Sequence, residues 1–204
     1  MNPHKITKDF EELISHYTGA PYVIAVDSMS NALFLALYYE NVEGQEIEIP
    51  SQTYPSVPCE IIHAKGVVKF IPGSFKGAYQ LKPTKVWDSA LRFTADMYMP
   101  GTHMCLSFTG AHKHLKLSKG GAILTDDPVA YEWFKKARFS GRNECSYHDD
   151  EFTMLGWNFY MIPELAARGI QLMDQFYNQD GTKKHNPDIE LVYPDLSQFK
   201  IYTQ

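Results

Sequence analysis

The chain has 204 residues, 44% of them hydrophobic and 21% charged, with a net charge of -5. That suffices for one domain with a substantial core, or one domain and the remnant of a second, and the acidic balance argues against nucleic acid as a main partner. The N-terminus has no apolar leader-like run and no stretch approaches membrane-spanning length. The cysteines Cys59, Cys105 and Cys145 form no C-x-x-C pair, so a cytosolic protein with reduced thiols, off the membrane, is expected.

Residues 6–18 read as an amphipathic helix, with Phe10, Leu13, Ile14 and Tyr17 on one face and Lys8, Glu11 and Glu12 on the other. Gly19 and Pro21 stop it. A strand over 22–26 leads to Asp27 and Ser28, and Ser30 opens a helix over 31–39 that is apolar nearly all round. A strand over 46–50 ends in Ser51-Gln52-Thr53-Tyr54-Pro55. A helix near 56–64, a strand over 67–71, a loop over 73–84 and a strand over 85–88 follow. Strands are expected at 104–108 and 121–125, and a helix from Pro128 carrying Tyr131, Trp133, Phe134 and Arg138. Residues 139–162 read as irregular. Pro163 fits the first turn of a helix, lined by Leu165, Gly169, Leu172 and Phe176. After Tyr177 a polar loop precedes a tail with weak strand character near 190–193. The alternation predicts a three-layer α/β/α sandwich around a mainly parallel sheet, with a trimmed large domain over 1–177 and a tail over 178–204.

Ligands of such sheets bind at the carboxyl ends of the strands. Here those ends carry Asp27, Ser28 and Ser30; Thr53 and Tyr54; Asp88; and Ser107 with Lys113. Hydroxyls at a helix start, an aromatic, a carboxylate and a lysine form the set that pyridoxal phosphate needs. The phosphate wants a helix N-terminus. The ring nitrogen wants an anion. The aldehyde wants an amine in its free-base form, which burial and nearby cations favour. His112 and His114 flank Lys113, but no third ligand is placed, so no metal is expected.

Five blocks in order resemble the DegT/DnrJ/EryC1/StrS family of sugar aminotransferases. They are Ser28-Met29-Ser30-Asn31-Ala32-Leu33; Pro50-Ser51-Gln52-Thr53-Tyr54; Trp87-Asp88-Ser89-Ala90; Ser107-Phe108 with Lys113, Gly120-Gly121 and Thr125-Asp126-Asp127; and the run from Gly156 to Leu172. The resemblance implies the large domain of an aspartate aminotransferase-like fold (fold type I) with the small domain nearly absent. It also implies pyridoxal 5'-phosphate bound to Lys113, the Schiff-base lysine and proton carrier. Asp88 would pair with the ring nitrogen and Tyr54 would stack on the ring. Ser30, Ser107 and the backbone of Met29 would hold the phosphate. Asn158 would reach the phosphate of a partner subunit in a homodimer with shared sites. The implied reaction moves an amino group from an amino acid, glutamate above all, to a keto group of a nucleotide-linked sugar.

The chain departs from the family pattern in four places. Leu91 stands where the family has Gln or His, and Met29 where it has Gly. The step from Ser107 to Lys113 is one residue longer than the family's. An insertion before the lysine restores the match, whereas anchoring on Ser107 puts His112 in its place, as in the family's dehydratase branch. Only a short loop separates 67–71 from 85–88, where the family adds strands and helices. The alternatives are therefore a dehydratase-like lyase using His112, and a catalytically silent binding paralogue.

Overall fold

Residues 4–202 are described by a computed structural model. The apolar face of His4–Thr18 (α1) forms as its spacing predicts, burying Phe10, Ile14 and Tyr17. That face packs on Pro163–Met173 (α5). Gly169 of α5 permits the approach, because a Cβ there would stand 2.4 Å from the Phe10 ring. Gly169→Ala should therefore overpack this seam and lower stability by about 1–3 kcal/mol, read as an earlier urea midpoint.

One α1 residue departs from expectation. Glu11 lies in the interior, accepting from Ala25 N at 2.8 Å and pairing with Arg138. Arg138 is itself fully buried and also meets Glu144 at 3.0 Å. A buried carboxylate is tolerable when a cation and backbone N–H satisfy it. Periodicity cannot see a partner so distant in sequence.

The strands are Tyr22–Val26 (β1), Glu46–Pro50 (β2), Val67–Ile71 (β3), Tyr79–Gln80 (β4), Val86–Asp88 (β5), His103–Ser107 (β6) and Gly121–Thr125 (β7). One sheet runs β1-β7-β6-β5-β4, and β2 pairs with β3 in a second, parallel sheet. Glu48 and Lys82 exchange backbone hydrogen bonds of 2.8 and 3.2 Å, which ties β2 to the segment just after β4.

The expected mainly parallel sheet needs refinement. β1, β2, β3, β5 and β6 do run one way, but β4 and β7 are interleaved against them, so the sheet is mixed. The cause is connection length. A parallel return needs a long crossover, normally a helix. Residues 108–120 contain none, so β7 comes back antiparallel to β6. β4 lies inside the expected 73–84 loop and turns straight into β5, with Leu81 N donating to Val86 O at 2.9 Å. This short hairpin stands between β5 and β2.

Alternation along β1 builds the layers. Ile24 and Val26 face a core shared with Met29–Tyr39 (α2), Ser56–His63 (α3) and Pro128–Ala137 (α4). Val23 and Ala25 face a second core shared with α1 and α5. The result is the helix–sheet–helix sandwich read from the sequence. α2 begins two residues earlier than expected. Ser28 is its cap, its Oγ accepting from Asn31 N at 3.3 Å, so Ser30 sits inside the first turn. The tail forms no regular strand near 190–193, only isolated pairings of Glu190 with Lys76 and of Asp195 with Gln52. It folds back across the strand ends instead, through Arg92–Asp188 bonds of 2.9 and 2.7 Å and Leu196 N to Ser51 O at 2.8 Å.

Candidate active site

The carboxyl ends of β1, β2, β5 and β6 open into one cavity of about 400 Å³. Met29, Ser30, Tyr54, Asp88, Ser107 and Lys113 all line it, and so does His112. Glycine makes one end of the cavity possible. A Cβ on Gly121 would come within 2.6 Å of Met29 N, so only glycine lets the first turn of α2 approach the start of β7 this closely.

Lys113 is 7% exposed, and its Nζ donates to Ala90 O at 2.6 Å. Burial pulls its ammonium down to about 8, with Asp88 opposing the shift. Asp88 is 1% exposed and accepts from Ala90 N at 2.8 Å. Burial pushes its carboxyl up to about 6, against the pull of Ala90 N–H, Lys113 and Tyr79. The pair therefore has both charges weakened by desolvation and each partly supported by the other. Near neutral pH the carboxylate is mostly ionised and the lysine is within reach of its free-base form.

The extra residue before the lysine is absorbed by a turn. Gly110 adopts φ 119° and Lys113 N donates to Gly110 O at 3.3 Å. His112 is left exposed at the rim, where burial and Lys113 hold its imidazole below the usual range. His114 points elsewhere, its Nε2 2.9 Å from Pro187 O. Among the described residues no cluster of three His, Cys, Asp or Glu side chains is arranged to hold a metal.

Tyr54 is 55% exposed and meets Tyr193 edge-to-face at 6.2 Å. Asn158 is exposed and does not line the cavity; its backbone pairs with Phe139. Leu91 is wholly buried and presents no polar group. Among the lining residues that the sequence reading did not single out are Lys119, Leu191 and Tyr193. Lys119 reaches Asp27 at 3.2 Å beside the start of α2. Leu191 and Tyr193 arrive by the fold-back of the tail, which no local pattern announces.

Residues 2–88 match the model of the DegT/DnrJ/EryC1/StrS aminotransferase family. By that match the first part of the chain, less than half of its length, is similar to this family. Solved structures similar to it agree in fold. A putative PLP-dependent aminotransferase from Bacillus cereus superposes with TM-score 0.66 at 20% identity, over 83% of this chain and 58% of that one. A putative sugar aminotransferase from Streptococcus pneumoniae, in its PLP form, gives 0.65 at 19% identity over 83% and 59%. PseC from Helicobacter pylori, an aminotransferase involved in the biosynthesis of pseudoaminic acid, gives 0.68 at 15% over 83% and 57%. The fold is thus that of the PLP-dependent aminotransferases of fold type I, and the chain spans less than two thirds of the length of these structures. No curated protein matches the sequence significantly.

Proposed function

We propose that this chain is the cofactor-binding part of a pyridoxal-phosphate-dependent aminotransferase. It moves an amino group from an amino acid, glutamate in this reading, to a keto group of a nucleotide-linked sugar. The observation that carries the reading is the buried pair of Lys113 and Asp88 in a cavity built from strand ends.

The residues present fit the cofactor. The cavity is of ligand size. The first turn of α2 offers the amides of Met29 and Ser30, and Ser30 and Ser107 add hydroxyls for a phosphate. Asp88 supplies the anion for the ring nitrogen, and Tyr54 supplies an aromatic wall. When bound, the cofactor serves as the electron sink for charge left at the donor's α-carbon. Lys113 Nζ would hold the cofactor through its aldehyde, with loss of water, and would serve as the base and acid for the proton at the donor's α-carbon. Its depressed pKa suits both tasks, since a protonated amine is no nucleophile or base. The burial of Lys113 against Asp88, with His112 left at the rim, supports the aminotransferase over the lyase.

Asn158, exposed and away from its own cavity, is assigned to the phosphate of a second copy in a homodimer. The direct test is to load the protein with pyridoxal phosphate and add glutamate. The expected result is conversion to the pyridoxamine form. If no amino acid brings about the conversion, amino transfer is not the function.

A further inference from the structure

β4, absent from the sequence reading, brings a polar side chain to the site. Tyr79 is paired in register with Asp88, and directly opposed residues of an antiparallel pair project to the same face. The Tyr79 hydroxyl sits beside the Asp88 carboxyl, whose pKa it lowers, and lies 2.7 Å from Thr53 Oγ1. Thr53 is fully buried, and the Tyr79 ring is held by Phe75 edge-to-face at 4.5 Å. A phenol has one proton. Donated to Asp88, it leaves Tyr79 oxygen to accept from Thr53. We propose that Tyr79 is a positioning residue: the chain Thr53–Tyr79–Asp88 orients the Asp88 carboxylate and keeps it ionised towards the cofactor's ring nitrogen. The β4–β5 hairpin thus supplies a support for the Asp88 carboxylate. The link to the ring nitrogen rests on the function proposed above; the link to Asp88 does not.

Other groups face Asp88. Lys113 and the Ala90 N–H approach from the loops, Tyr193 from the tail and Cys105 from β6. Burial holds Cys105 well above its usual range and pushes Tyr193 to about 12, so neither titrates near neutral pH. Lys113 and Tyr79 remain as the groups that support the ionised form.

The test follows the Asp88 side-chain carboxyl carbon by NMR in cofactor-free protein, with the resonance assigned by its loss in Asp88→Asn. In Tyr79→Phe, which keeps the ring and removes the hydroxyl, Asp88 should titrate about one pH unit higher. Thr53→Val should move it the same way by less, because a hydrogen-bonded chain polarises its members. An Asp88 that titrates at an unchanged or lower pH in Tyr79→Phe overturns the proposal. Should that variant not fold, an unchanged Thr53→Val does so. In the loaded protein, Tyr79→Phe should weaken cofactor binding about fivefold at pH 6 and little at pH 9. Equal affinities at both pH values, with the NMR shift present, would sever Tyr79 from the cofactor. A wild type that takes up no cofactor would instead defeat the function reading and leave the NMR comparison standing.

Discussion

Lys113→Ala is expected to remove the visible absorbance that the wild type gains with pyridoxal phosphate, and to slow the half-reaction with glutamate by about 10²–10⁴-fold, the range for loss of a positioned acid–base group. The protein should still fold, since the change removes a partly desolvated cation whose bond is to the backbone oxygen of Ala90. Lys113→Arg should fail equally, because guanidinium stays protonated. The wild type carries a pH signature of the same residue. Below about 8 the amine of Lys113 is mostly protonated, so cofactor capture should slow tenfold per pH unit and level off above that value. A surface lysine would keep gaining rate towards 10.5. Stopped-flow absorbance at several pH values separates the two.

The second large effect is a trade between stability and function at Asp88. Its folded pKa is raised from 3.8 to about 6, so its contribution to stability is complete below 3.8 and is lost as pH rises through 6. At pH 8 the buried charge costs about 3 kcal/mol. Asp88→Asn keeps an acceptor for Ala90 N–H and Tyr79 and removes the charge. Cofactor-free Asp88→Asn should therefore melt several degrees higher than wild type at pH 8, with the gap closing towards pH 4. The same variant loses the anion facing the ring nitrogen. Its cofactor affinity should fall by about 1.5–3 kcal/mol, and its half-reaction by about 10²–10³-fold. A variant that neither gains stability at pH 8 nor loses cofactor would mean that Asp88 only holds the turn at Ala90.

Much of this was readable from residue pattern. Helical spacing located α1 and α5, proline marked the start of α4, and apolar runs placed β1, β2, β3 and β6 to within a residue. Of the polar residues at those strand ends, Ser28, Ser30, Tyr54, Asp88 and Ser107 converge with Lys113 on one cavity, whereas Asp27, Thr53 and Asn158 do not line it. What failed to show has a common cause: it depends on partners remote in sequence. Glu11 looks solvent-facing until Arg138 arrives. Tyr79 looks like loop until Asp88 and Glu48 flank its segment. Tyr193 looks like tail until Asp188 and Leu196 anchor that tail across the strand ends. The direction of β7 followed from a missing crossover helix, which strand propensity does not report.

The most direct measurement of the central claim is reductive trapping. The protein is incubated with pyridoxal phosphate at pH 8, treated with borohydride, digested and mapped by mass spectrometry. The account predicts a single phosphopyridoxyl group on Lys113, absent from Lys113→Ala. Label on Lys116 or Lys119 in its place, or no specific label on the wild type, would contradict it.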